Sequence, residues 1–322
     1  MIAITAGHCA GRDRNTTTTS WRTVLLIAAA LVIALLGGCA KKPPTGLTDL
    51  KAKSYGELES YLLSQPADTD TFKVRGPFTV DTQKNHQLQL PAGERISGDL
   101  YLAEHDNKAP LVVLLHGYDN SKADHGYQAM HLATWGLHAI ALDLPRQGPW
   151  ARNGRMLAQV TELLQKNPAL LNPNIDGGKI VLVGHSFGGS SVAIAMGDGA
   201  PAIGGVLLDP AVADGDIRGA LGRNKKPLIL IGADEYVSEA VGRSQFYSDT
   251  RSGIIEISIR DAEHEDATFS MEMTGITGEQ LTFISTLTAA AFSLAATGKT
   301  DYAWDGFNKA FREGTIVNPK KK

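Results

Sequence analysis

The chain is 322 residues long, 43% hydrophobic and 20% charged, an ordinary globular composition that a single α/β domain can carry. Its formal net charge of −3 supplies no basic stripe to neutralise phosphates, so no nucleic-acid partner is expected.

The first 40 residues differ from the rest. Arg12, Arg14 and Arg22 precede an uninterrupted apolar run from Val24 to Leu36, which meets Gly37, Gly38 and Cys39. A basic front and an apolar centre predict a signal peptide, and the run is short of the roughly 20 residues that a membrane span needs. An uncleaved anchor is the other reading of this run. Leu36-Gly37-Gly38-Cys39 resembles the bacterial lipobox, whose cysteine is acylated and becomes the first residue after cleavage. The resemblance implies a signal peptide over 1–38, lipidation at Cys39 and a tether over 39–53, in which Lys41 to Leu47 is polar and Pro-containing. Cys9 would leave with the signal, so the mature chain would hold one lipidated cysteine and no disulfide. With Ala40 and not Asp after the cut, the likeness to lipoproteins implies the outer membrane, in a cell that has one. Two or three acyl chains anchor stably where one does not.

A folded α/β body is expected over 54–322. Ser54 and Glu57 stand in capping-box spacing before a short amphipathic helix to Leu63. From Phe72 to Leu102 alternation predicts extended, antiparallel segments, with Pro91-Ala92-Gly93 as a turn. Apolar runs then predict strands at Leu111–Leu115, His138–Leu142, Ile180–Val183, Gly205–Leu208, Leu228–Ile231 and Ile254–Ile259. Helices are predicted at Tyr127–Trp135, Arg155–Lys166, Ser190–Met196 and Glu279–Ala296. This alternation predicts an α/β fold with a mainly parallel sheet, antiparallel N-terminal strands and helices on both faces. The short stretch from Asp209 to Lys226 leaves no room for a large cap. Tyr302, Trp304, Phe307 and Phe311 predict a last helix packed on the body, with Lys320 to Lys322 as a solvated tail.

The stretch Lys179–Ser191, KIVLVGHSFGGSS, organises the chain. A strand leads through Gly-His-Ser-Phe-Gly into a helix, the context of a nucleophile elbow, in which a strained serine presents its hydroxyl at the top of the sheet. Gly184 and Gly188 occupy the positions where β-carbons would collide. A phosphate loop would require Lys followed by Ser or Thr after the glycines, and neither is there.

Serine at neutral pH needs a base, itself oriented by a carboxylate. His264 is the only histidine after the elbow and is the candidate base. No second histidine lies near it, so no metal site is expected, and no cofactor either. For the acid, Asp209 and Asp234 each follow a strand at the carboxyl edge of the sheet, and spacing does not separate them. Backbone N–H groups of Tyr118 and Phe187 are the candidate oxyanion donors, and their side chains are candidates for lining the acyl pocket. His116 and Asp143 read as structural hydrogen-bonding residues.

GHSFGG, LLDPAV and the pairing of PLILIGADEY with ISIRDAEHEDATF resemble the platelet-activating-factor acetylhydrolase branch of the α/β-hydrolases, which is also similar to chlorophyllases and cutinase-like polyesterases. The likeness covers roughly Leu111 to Ser270. In the acetylhydrolase and chlorophyllase branches the acid follows the strand after the elbow helix, which implies Asp209. In the polyesterases it lies one strand later, where this chain has Tyr236, with Asp234 two residues early. The implied function is a lipid-anchored serine ester hydrolase with small-molecule or lipid esters as substrate, open and capless. An amidase or thioesterase would use the same groups, and a noncatalytic surface lipoprotein on this scaffold is the alternative class.

Overall fold

The computed structural model describes residues 54–91, 93–143, 148–234 and 242–322. The expected signal peptide, Cys39, the tether over 39–53 and Tyr236 lie outside the described residues.

A nine-stranded sheet runs in the order β1-β2-β4-β3-β5-β6-β7-β8-β9. Its strands are β1 (Val80–Gln89), β2 (Arg95–Ala103), β3 (Ala109–Leu115), β4 (His138–Leu142), β5 (Ile175–His185), β6 (Gly204–Leu208), β7 (Leu228–Ala233), β8 (Ile254–Ile259) and β9 (Ile316–Lys321). Pairing is parallel from β4 through β3, β5, β6 and β7 to β8, and antiparallel for β1 with β2, β2 with β4 and β8 with β9. Strands β3, β4, β6, β7 and β8 are buried at every position. Their sequences are apolar but for His138, Glu256 and Ser258, because a strand covered on both faces has no solvent side to make polar.

The described helices are α1 (Tyr55–Ser64), α2 (Gly126–Thr134), α3 (Trp150–Lys166), α4 (Phe187–Gly197), α5 (Ile217–Arg223), α6 (Arg243–Asp249), α7 (Gly278–Thr297) and α8 (Asp301–Glu313). They cover the two faces. Val112 and Leu114 of β3 join one core with Leu58 of α1, Leu132 of α2, Phe292 of α7 and Phe307 of α8. Leu111, Val113 and Leu115 of the same strand point the other way, to Leu157 of α3, Val192 of α4, Leu221 of α5 and Phe246 of α6. Helix α7 has the length and apolarity of a membrane span, but 83% of its apolar window is buried inside this body, as befits a core helix.

Three expectations need correction. Lys320 to Lys322 are exposed, as the expected solvated tail would be, but they are no loose tail: Ile316–Lys321 forms β9 and closes the sheet against β8. Ladder hydrogen bonds need no apolar side chains, and lysines on the outermost strand discourage a further chain from pairing there. Strand β5 begins at Ile175, earlier than the apolar run, because Ile175 also pairs with Ala109 of β3. Phe311, placed with Phe307 on a packed helix face, is 47% exposed.

Candidate active site

Ser186 stands between β5 and α4 with φ 53° and ψ −124°, a conformation that costs a non-glycine residue about 1–3 kcal/mol. Surrounding bonds hold it there. Its N–H donates to the Leu208 carbonyl (3.0 Å), and its own carbonyl accepts from the N–H groups of Gly189 (2.9 Å) and Ala211 (3.1 Å). A β-carbon on Gly184 would lie 2.4 Å from the Gly188 carbonyl oxygen, the close approach that the spacing implies. A β-carbon on Gly188 would meet the carbonyl oxygens of His116 (2.5 Å) and Leu115 (2.6 Å), so the second glycine clears the end of β3 as well. Ser186 is 8% exposed, largely covered and not standing clear of its surroundings.

Asp209 follows β6 directly, is fully buried, and takes a positive φ of 36°. Its Oδ2 lies 2.6 Å from Nδ1 of His264. Its Oδ1 accepts from the Ala233 N–H (3.0 Å) and from Arg243 Nη1 (2.8 Å). Asp234, left open by spacing, is exposed at the end of β7, and the partner of His264 is Asp209. His264 opens a short 3₁₀ turn to Ala267, pinned by reciprocal hydrogen bonds between Glu263 and Asp266.

Burial of Asp209 opposes its ionisation, but the hydrogen bond from His264 and the charge of Arg243 outweigh it and hold the carboxyl below its ordinary value. Burial likewise opposes the imidazolium of His264. The hydrogen bond and charge of Asp209, helped by Glu265, push it above its ordinary value, and Arg243 pulls it back.

Gly117, after β3, approaches the elbow so closely that a β-carbon there would be 2.7 Å from Cβ of Ser186. His116 Nδ1 lies 2.8 Å from the Gly117 carbonyl oxygen and donates to it. In a trans peptide this fixes the Tyr118 N–H on the opposite side. Phe187 supplies the first N–H of α4, which has no carbonyl partner within the helix. The side chain of Tyr118 is 56% exposed, whereas the Phe187 ring packs 5.5 Å from that of buried Trp150. Asp143 accepts from the Lys122 N–H (2.8 Å) and so fixes the turn before α2.

Two residues that sequence reasoning did not single out belong to this region. His185 lies in the elbow itself, fully buried, with its ring 4.6 Å from that of His264. Arg243 comes from the start of α6, and its one trace in the sequence is Gly232 within β7. A β-carbon at Gly232 would fall 2.1 Å from Arg243 Nη1, and a glycine inside a strand is the mark of such an approach. Among the described residues, Asp68, Asp70 and Glu313 are close enough to share a cation, but Lys73 and Lys309 already pair with them.

A mainly parallel sheet with a strained serine at the end of β5, and a histidine–carboxylate pair on later loops at the same edge, is a hydrolase scaffold. Residues 112–305 match the alpha/beta hydrolase family, and the chain belongs to that family. No curated protein matches it.

Proposed function

We propose that the chain is a serine ester hydrolase working through an acyl-enzyme, with Ser186 as nucleophile, His264 as base and Asp209 as acid. The observation that carries this reading is the 2.6 Å contact between His264 Nδ1 and Asp209 Oδ2, beside a serine held at positive φ. In the proposed reaction Ser186 Oγ attacks the ester carbonyl carbon while its proton passes to His264 Nε2. Asp209 keeps the proton on Nδ1 and stabilises the imidazolium, and the N–H groups of Tyr118 and Phe187 receive the oxyanion. Collapse breaks the ester C–O bond, and the alcohol leaves with the proton from Nε2. Water then repeats the sequence and frees the acid.

The acid directly after β6 is also the arrangement of the acetylhydrolase and chlorophyllase branches, which we take as the nearer likeness. The short segment after Asp209, with only the two-turn α5 before β7, supports small or accessible esters over long acyl chains that need a lid. The lipobox-like Cys39 supports an envelope protein anchored by lipid.

A fluorophosphonate probe tests the reaction class. Wild-type protein should be labelled and Ser186→Ala should not, while both unfold at the same urea concentration. An unlabelled wild type, or a labelled Ser186→Ala, overturns the reading. A screen over acyl esters of rising length then defines the substrate.

A further inference from the structure

Behind the Asp209–His264 pair lies a buried chain of charge. Nη1 of Arg243 donates to Asp209 Oδ1 at 2.8 Å and to the Ala233 carbonyl, Nη2 donates to Ser258 Oγ at 3.0 Å, and Nε stands 3.9 Å from Glu256 Oε1. Glu256 sits in the middle of β8 at 4% exposure, with Lys320 of β9 3.6 Å from its other oxygen. Three chain segments therefore converge on one guanidinium, and Gly232 makes the space.

Stability alone is a poor reason for such a group, since burying an ion pair costs about as much as it returns and well-packed apolar residues commonly do better. Asp209 Oδ1 is already bonded to the Ala233 N–H, so the carboxylate is not left bare without Arg243. What the arginine adds is a fixed positive charge on the side of the carboxylate away from His264.

The geometry points to Arg243 as a positioning residue for the acid: its guanidinium turns the Asp209 carboxylate so that Oδ2 meets His264, and with Glu256 as counter-ion it sets how much negative charge the base feels. This inference rests on the reading of His264 as the base. The charged groups that face Arg243 are Asp209 after β6, Glu256 on β8 and, at the next remove, His264 and Lys320. Asp234, after β7, is exposed, and Asp249 at the far end of α6 pairs with Arg218. Burial and Asp209 dominate the titration of His264, and Arg243 opposes Asp209 in it.

The test follows the His264 imidazole by NMR titration on the folded protein, and in parallel the pH dependence of kcat/KM for a soluble aryl ester. Arg243→Met removes the opposing charge and should raise the His264 midpoint by about one pH unit. Glu256→Gln leaves the guanidinium less compensated and should lower it by a smaller amount. Arg243→Lys retains the charge but cannot serve four partners, so the midpoint should stay near wild type while kcat falls and KM holds. A merely structural role gives no such opposed shifts. Unmoved midpoints, or shifts of one sign in Arg243→Met and Glu256→Gln, overturn the inference. If Arg243→Met does not fold, an unmoved midpoint in Glu256→Gln does so alone. Because the titration is read without turnover, opposed shifts in a protein that hydrolyses no ester would sink the proposed reaction and leave this inference standing.

Discussion

His185 donates from Nε2 to the backbone carbonyl of His264, 3.2 Å away, and the two rings stand 4.6 Å apart. The residue before Ser186 thus steadies the candidate base. The bond leaves His185 Nδ1 unprotonated and without a partner, and burial, then the nearby His264 and His125, hold the ring neutral with its value well below the ordinary one.

His185→Phe keeps a ring of similar size and removes that bond. Turnover should fall roughly ten- to a hundredfold with little change in KM, because a small displacement of the base costs the transition state and not substrate binding. Steady-state kinetics on one ester check it, and an unchanged kcat would show that His264 needs no such support.

Asp209→Asn should lower turnover by about 10⁴, since the amide leaves His264 in the wrong tautomer and its cation without a counter-charge. Asp234→Asn should change it little, because Asp234 is exposed and His264 already has a partner. The two single variants and the double, assayed at one pH, give the comparison. A large loss from Asp234→Asn beside a small one from Asp209→Asn would reverse the assignment.

Gly184→Ala should fail to fold or lose its elbow, since the added carbon would sit 2.4 Å from a backbone oxygen that cannot step aside. Gly199→Ala is a useful contrast: open space surrounds its β-position, and only its positive φ of 85° resists, at about 1 kcal/mol. Far-UV circular dichroism and urea unfolding separate the two outcomes.

Acid lability should come from buried histidines, His185 of the site among them. Burial pushes His125, His131 and His138 each down to about 4. A folded value below the unfolded one means that the stability is fully present above about pH 6.5 and is lost as pH falls towards 4. Between pH 7 and 5 each contributes a loss of about 2 kcal/mol. His264, raised in the fold, works in the other direction, its share present below about pH 6.5 and lost as pH rises past its folded value. Urea midpoints at pH 7 and pH 5 should differ accordingly, and His131→Gln should shrink the difference.

Cys39→Ser should leave a full-length precursor without lipid, and a chain beginning at Lys41 should be soluble and active. The described body begins with Ser54, which caps α1 through a bond from the Glu57 N–H at 3.2 Å. Mass spectrometry of the membrane fraction checks the acylation. Unlipidated wild-type protein in solution would dismiss the anchor.

The central strands were legible because each is a short apolar run between turns, the signature of burial on both faces. The elbow was legible because its two glycines answer a steric demand local to five residues. Strand β9 was not, since IVNPKK is edge sequence whose pairing with β8 is made by backbone alone. Asp209 and Asp234 follow neighbouring strands, so only the third dimension shows which of them meets His264. Arg243 was illegible for a related reason. Its partners come from β6, β7 and β8, far apart in sequence, and no spacing rule joins them.

Ser186 and Asp209 end adjacent strands, tied by the bond from the Ser186 N–H to the Leu208 carbonyl at 3.0 Å, and the Asp209 N–H in turn bonds Ile231 of β7 at 2.8 Å. Their separation is therefore a property of strand register: a slip of one residue between β5 and β6 would carry the carboxylate about 3.3 Å along the sheet and reverse the side on which it projects. His264 hangs on a separate turn beyond β8. For anyone rebuilding specificity by loop exchange, the serine and the aspartate travel as one inherited block, and the histidine turn is the part whose fit must be recovered after each graft.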